Sequence, residues 1–165
     1  MTFAAKRPAD SATEMVQVVL PNDANPLGFM LGGTVMHLID IAGAIACHRH
    51  TRSRVVTAAV DGLQFLHSIK VGDLIILRSK VTAVFRTSLE VEVEVFSEST
   101  LTGERKHTSL AYLTFVAIDE LGQRVPIPPL QLDTPDELRK AKEAEVRRAA
   151  RLVAKQKLVE SQTTT

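Results

Sequence analysis

The chain has one cysteine among its 165 residues, no tryptophan, and aromatic side chains at only 4% of positions. The lone Cys47 cannot close an internal disulfide, which fits a reducing compartment. So few aromatics leave no stacking platform for single-stranded nucleic acid, and a formal net charge of +1 lacks the basic excess of a general nucleic-acid binder. The N-terminal stretch MTFAAKRPADSAT holds no apolar run long enough for a signal peptide. The most apolar segment, residues 31–47, is short for a membrane span and carries a carboxylate near its centre. What remains is a composition of 45% hydrophobic and 24% charged residues, enough for one domain with a real core. The expectation is a soluble cytoplasmic protein with neither nucleic acid nor membrane as its partner.

Asp40 is the only formally charged side chain in the run LGGTVMHLIDIAGAIAC, Leu31 to Cys47. Apolar residues occupy nearly every side of that helix, and a helix hydrophobic all round is normally buried. Burying a lone carboxylate costs on the order of several kcal/mol unless it is paired, hydrogen-bonded or used in chemistry. Gly32-Gly33 opens the run, so a helix N-terminus with free backbone N–H groups precedes the acid by two turns. That combination suggests an active site. The plainer alternative is an Asp satisfied in the core by a hydroxyl or a backbone group. The cluster Cys47-His48-Arg49-His50 does not suggest a metal, because consecutive helical residues point apart and no further ligand shares their spacing.

Residues 1–12 read as a disordered lead, 13–130 as the folded domain and 131–165 as a helical tail. Glu14–Leu20 is a short strand, and the turn-forming residues from Pro21 to Gly28 make an irregular loop into a helix over about 33–50. Long strands follow at Arg54–Phe65, Leu74–Val84, Leu89–Ser97 and Arg105–Ile118. The third of these, LEVEVEVFS, alternates so cleanly that it predicts one buried face and one solvated acidic face. The pattern is α+β: an antiparallel sheet of about five strands around one buried helix. Exposed sheet edges would be relieved by pairing between protomers, so a dimer at least is expected. In the tail, Thr134-Pro135-Asp136-Glu137 is a helix start with a capping box. The helix after it shows no clean apolar stripe and is expected to be mostly solvated, or to lie on a neighbouring subunit.

The segment Asn22 to Gly28, then Gly32-Gly33, then Leu38-Ile39-Asp40, resembles the hot-dog-fold acyl-CoA thioesterases. The likeness is to the branch of bacterial short-chain acyl-CoA hydrolases and the cytosolic and brain-type acyl-CoA hydrolases of animals. It continues in order through Arg49-His50, Val56 to Asp61 with Phe65, Val71-Gly72-Asp73, Arg86-Thr87-Ser88 and Thr114 to Ala117, covering roughly residues 14–130. Two positions depart from the pattern. Leu31 stands where His or Phe often precedes the glycine pair, and Phe85 stands where Gly often precedes Arg-Thr-Ser.

The resemblance implies hydrolysis of acyl-CoA to free CoA and a carboxylic acid, at a site shared by two protomers. By position, Asp40 of one chain would be the general base or the nucleophile, and Asn25 of the other would hold the water or the thioester oxygen. A poorly solvated carboxylate is the stronger base. Backbone N–H groups at Gly32, Gly33 and Thr34 would stabilise the oxyanion or bind substrate. Thr57 with Arg86, Thr87 and Ser88 would bind CoA, the last three forming a phosphate-suited turn. No cofactor is implied beyond the coenzyme A of the substrate. The resemblance further implies a homodimer assembled as a trimer of dimers. Two other readings stay open: a hot-dog dehydratase or hydratase using His37, and a non-catalytic acyl-CoA or nucleotide sensor with the tail helix as its partner-binding element.

Overall fold

The computed structural model describes residues 2–163. A short helix α1 (Pro8–Ser11) leads into strand β1 (Thr13–Val18), and a 3-10 turn (Pro21–Asp23) precedes the long helix α2 (Gly32–Thr51). Strands β2 (Arg54–Phe65), β3 (Leu74–Val84), β4 (Ser88–Glu98) and β5 (Arg105–Ile118) follow, then helix α3 (Pro135–Thr163). The five strands form one antiparallel sheet in the order β1-β3-β4-β5-β2. The α+β hot-dog architecture expected from the sequence is present, with strand bounds within two residues of those anticipated. No helix among the described residues is long and apolar enough to cross a membrane.

Helix α2 packs on one face of the sheet. It buries Val35, Leu38, Ile39, Ala42, Ala46 and Cys47 against Leu89, Val91, Val93 and Val95 of β4 and against Phe115 of β5. The approach is close enough that a Cβ on Gly43 would lie 3.1 Å from the side chains of both Phe115 and Val91. Ser79 of β3 donates its hydroxyl to the Ala42 carbonyl at 2.7 Å, fixing helix against sheet with a buried hydrogen bond. In the protomer the helix is not buried all round. Met36, His37, Asp40, Ile41, Ala44 and His48 are exposed or half-buried, and at this helical spacing they make one open stripe.

The opposite face corrects one expectation. The acidic face of β4 is not solvated: Glu90 is 1% exposed and Glu92 is 3% exposed. Helix α3 covers them through a few charged side chains, while most of its residues stay exposed, as the sequence led one to expect. Arg147 makes a bidentate pair with Glu90 at 2.8 and 2.9 Å, Lys140 reaches Glu92 at 2.8 Å, and Arg151 reaches Asp61 of β2 at 2.7 Å. Thr82 and Tyr112 donate hydroxyls to Glu90 and Glu92, so both carboxylates are multiply hydrogen-bonded, as buried charges must be. Burial and the adjacent Glu92 push the Tyr112 phenol up to about 12. The helix begins where the sequence indicated: Glu137 accepts from the Asp133 and Thr134 N–H groups, and its own N–H donates to Thr134 Oγ1.

Within the lead expected to be disordered over residues 1–12, the segment from Lys6 to Ser11 is held against the domain; Met1 lies outside the described residues. Lys6 exchanges backbone hydrogen bonds with Pro129 and Gln131, and its Nζ donates to the carbonyls of Arg49 and His50 at the end of α2. A cation there satisfies carbonyls that the helix cannot. Ser11 is fully buried and accepts the Val81 N–H at 2.9 Å.

His50 is fully buried, and its Nε2 donates to the Pro128 carbonyl at 2.8 Å. Its Nδ1 has no partner, so charging the ring would strand a buried N–H. Burial accordingly holds its pKa below the ordinary 6.5. The unfolded chain binds the proton that the folded chain refuses, so stability is full above that ordinary value and falls as pH drops through it. Urea midpoints taken from pH 7.5 to 5 should decline, and His50→Gln should flatten part of the slope. The ion-paired layer makes a larger prediction. Arg147→Ala strands Glu90 and should cost about 3–5 kcal/mol, whereas Glu90→Leu/Arg147→Leu should recover most of it. An Arg147→Ala urea midpoint equal to wild type would mean that α3 is not docked on the sheet.

Candidate active site

Asp40 lies on the open stripe of α2, half-buried in the protomer, and not in the core. Its Oδ1 accepts the Thr57 hydroxyl at 2.6 Å. Thr57, anticipated as a CoA-binding residue, is thus set against the acid. A register irregularity between Thr57 and Ala59, where β2 pairs with β5, disturbs the regular alternation at this point. Such bulges re-aim side chains beside functional sites. The hydroxyl occupies one carboxylate oxygen and leaves Oδ2 without a partner among the described residues.

Asn25 sits in the loop between β1 and α2, and its conformation is fixed by its own backbone. Its Oδ1 accepts the N–H groups of Leu27 at 3.0 Å and Phe29 at 3.1 Å, and its N–H donates to the Phe29 carbonyl at 2.8 Å. Gly28 closes this turn at φ +83°, a conformation glycine tolerates and other residues resist. With the side-chain oxygen engaged, the amide NH2 is the end left for a ligand. A pure turn role would need only the oxygen. No hydrogen bond joins Asn25 to Asp40 within the protomer.

At the start of α2 the structure narrows the expected donor set. Thr34 donates its N–H to the Leu31 carbonyl at 3.0 Å and is spent. Gly32 and Gly33 are left as the first-turn N–H donors without a partner among the described residues. Beside them a cavity of about 240 Å³ has an apolar wall of Met30, Val35, Phe65, Leu66 and Ile69 and a polar one of His67, Ser68 and Ser109.

The other anticipated residues fall elsewhere. His37 is exposed, and no hydrogen bond joins it to Asp40. Arg86, Thr87 and Ser88 lie at the β3–β4 turn in a separate groove of about 580 Å³. Cys47 is buried, and burial with the nearby Asp40 pushes its thiol up, so it is an inert core residue. His48 contacts the Ser53 carbonyl, and among the described residues no cluster of three His, Cys, Asp or Glu is placed to hold a metal. Residue-type reasoning missed the Thr57–Asp40 pair because its partners are 17 residues apart and meet only through the helix-to-strand turn.

Residues 27–104 match the thioesterase superfamily. An uncharacterized acyl-CoA thioester hydrolase of Bacillus subtilis is 40% identical over 120 residues, spanning 73% of this chain and 70% of that one. Among solved structures, an apo-hexameric acyl-CoA thioesterase is 39% identical with a TM-score of 0.87, covering 92% of this chain and 97% of that chain. An acyl-CoA hydrolase of Staphylococcus aureus, solved with butyryl coenzyme A, coenzyme A and coenzyme A disulfide, is 30% identical with a TM-score of 0.87, covering 96% of this chain and 99% of that chain. The chain spans only 37% of the human cytosolic acyl coenzyme A thioester hydrolase that it also matches. A five-stranded sheet around a helix that carries Asp40, together with these similarities, places the chain in the acyl-CoA thioester hydrolase family of the thioesterase superfamily.

Proposed function

We propose that this protein hydrolyses acyl-CoA thioesters to a carboxylic acid and free CoA at a site built from two protomers. The observation that carries the reading is the Thr57–Asp40 hydrogen bond on the open stripe of α2. It orients a carboxylate whose second oxygen is unoccupied, on a face that the protomer leaves uncovered. Asp40 takes a proton from a water that attacks the thioester carbonyl. The C–O bond forms, the C–S bond breaks, and the departing CoA sulfur receives the proton. Direct attack by the carboxylate is the variant of the same scheme, with water then hydrolysing the anhydride. The scheme uses no cofactor beyond the substrate's own coenzyme A.

Helix geometry supports a shared site. Gly33 and Asp40 are seven residues apart on one helix, about 10 Å along its axis at 1.5 Å per residue. One carbonyl cannot receive both the N–H groups of Gly32 and Gly33 and the base Asp40 from the same chain. A two-fold partner whose α2 runs antiparallel brings its own Gly32, Gly33 and Asn25 to this Asp40. The two-fold would join the free β2 edges, where Val56, Val60 and Phe65 are each about half exposed. A hexamer made as a trimer of such dimers is the full assembly proposed, in line with the hexameric relative. The Staphylococcus aureus hydrolase has been solved with single alanine replacements of an asparagine, an aspartate and a threonine spaced by 15 and 17 residues. Asn25, Asp40 and Thr57 have the same spacings, which further supports their grouping.

Thiol release from an acyl-CoA tests the roles. Asp40→Ala should lower kcat by about a hundredfold or more, the usual contribution of a positioned base. Asn25→Ala should also impair turnover, and Thr57→Val should fall between wild type and Asp40→Ala, all three remaining folded. A fully active Asp40→Ala would remove the mechanism.

Mixing tests the sharing. When Asp40→Ala and Asn25→Ala chains exchange at random, half of the dimers are mixed and each has one intact site, so about a quarter of wild-type activity should return. Confirmed exchange without recovery would place both residues in one chain's site. Light scattering that returned an 18.1 kDa monomer at working concentration would contradict the assembly.

A further inference from the structure

The cavity at the head of α2 holds a polar group that nothing in the fold uses. On β5 the inward row reads Ser109, Ala111, Leu113, Phe115 and Ala117, and every member but the serine joins the apolar core. Ser109 is 0% exposed, and its hydroxyl has no hydrogen-bond partner among the described residues. Ser79, on the inward row of β3, is also buried but donates to the Ala42 carbonyl at 2.7 Å. Buried hydroxyls are normally satisfied, and a bare one costs free energy that an alanine would not. The missing partner of Ser109 must come from outside the chain.

The surroundings of Ser109 narrow what that partner is. His67 and Ser68 line the same cavity, and neither side chain has a partner among the described residues. No Asp, Glu, Lys or Arg lines it, so an ionised group entering would find no fixed charge to pair with. The cavity also reaches Gly32, whose N–H is one of the two unspent donors of the helix start. A Cβ on Gly32 would lie 3.5 Å from the Phe65 ring, so that ring stands as a wall close beside the donor. At about 240 Å³ the space falls below the roughly 300–1,000 Å³ of pockets that enclose a drug-sized ligand. It is a short space, apolar on one side and polar on the other.

We infer that this cavity is an acyl subsite selective for short acyl groups bearing a neutral hydroxyl or oxo group, with Ser109 as the specificity-determining residue. This rests on the acyl-CoA reading above and names its substrate class. With the thioester carbonyl at the Gly32 N–H, the acyl chain runs between Val35 and Phe65 and brings its oxygen to Ser109. The serine hydroxyl donates to an oxo oxygen, or exchanges a hydrogen bond with a hydroxyl. A plain alkyl chain of equal length would leave that hydroxyl stranded, which is how a site built to hydrogen-bond its substrate rejects the analogue lacking the group.

Thiol release from butyryl-CoA, 3-hydroxybutyryl-CoA, 4-hydroxybutyryl-CoA and hexadecanoyl-CoA tests this. In wild type, kcat/KM for one of the hydroxyacyl substrates should exceed that for butyryl-CoA by about tenfold, the scale of one net buried hydrogen bond. Ser109→Ala should erase the preference by lowering the hydroxyacyl value and raising the butyryl one. A role confined to packing would move both substrates together and would overturn the inference. Equal wild-type values for all the four-carbon substrates, or a wild-type preference for hexadecanoyl-CoA, would overturn it without recourse to the variant. The thioethers S-butyl-CoA, S-(3-hydroxybutyl)-CoA and S-(4-hydroxybutyl)-CoA have no carbonyl to attack, so calorimetry with them reads the subsite apart from hydrolysis. One hydroxylated thioether should bind wild type about tenfold more tightly than the plain one, and Ser109→Ala should bind them alike. If that preference is found yet no thioester releases thiol, the hydrolysis reading fails and the subsite stands. If thiol is released but neither measurement shows a preference, the subsite falls and hydrolysis stands.

Discussion

Glu90 and Glu92 lie in the middle of the sheet with almost no access to water, and the position of α3 follows from them. A strand written as Leu-Glu-Val-Glu-Val-Glu-Val must send its glutamates to one face. That face is tenable under a cover only if cations arrive with it, because an unpaired buried carboxylate costs several times what an exposed ion pair yields, roughly 3–5 kcal/mol against 0–1. Arg147 and Lys140 meet the requirement with direct contacts, and Thr82 and Tyr112 fill remaining acceptor sites. The guanidinium of Arg147 also lies 3.6 Å from the centre of the Tyr112 ring, so its planar face is used as well as its edge. The sheet is therefore covered on both faces by different physics, apolar packing under α2 and paired charge under α3.

With both faces covered, what the protomer leaves open includes the β2 edge of the sheet and a stripe of α2. Strand β2 ends the sheet, and the stripe of α2 that carries Asp40 has nothing of this chain over it. These two unfinished surfaces are adjacent, because Thr57 of β2 touches Asp40 of α2. One partner related by a two-fold axis would finish both. It would also cure the mismatch along α2, where the free N–H groups and the acid stand too far apart to act on one carbonyl. Incomplete burial and incomplete chemistry thus have a single remedy, which is the physical reason for placing the site between protomers.

Much of this was legible in the sequence, and the failures share a cause. Strand alternation and the Gly-Gly start of α2 are local signals, and the elements they mark sit where they were expected. The tail helix is mostly solvated as expected, but its docking on the sheet was not legible because an apolar stripe was sought where the contact stripe is Lys140, Ala144, Arg147 and Arg151, at i, i+4, i+7 and i+11. Helical periodicity was there, written in charge. The anchoring of the lead was hidden for a similar reason: Lys6 is held by backbone carbonyls of α2 and of residue 129, which composition does not reveal. Thr34 lost its donor role to a hydrogen bond with Leu31 that depends on how the first turn closes. The acid itself stood out because it broke an apolar run. Its hydroxyl partner did not, because one Thr among several is ordinary until the chain folds.

The two adjacent stripes of α3 tie stability to the placement of charge. Arg147 and Arg151 point to the sheet and fix the helix in rotation, and with the helix so fixed Arg148 and Lys155 can only line the groove. A helix held by apolar contacts alone could slip by a fraction of a turn at modest cost, since such contacts are non-directional. Bidentate and paired charges resist that motion, because their geometry is specific and the alternative is a stranded buried ion. The paired layer thus sets the register of the cations that remain unpaired. On this view the buried glutamates of β4 determine where the unpaired cations of α3 stand.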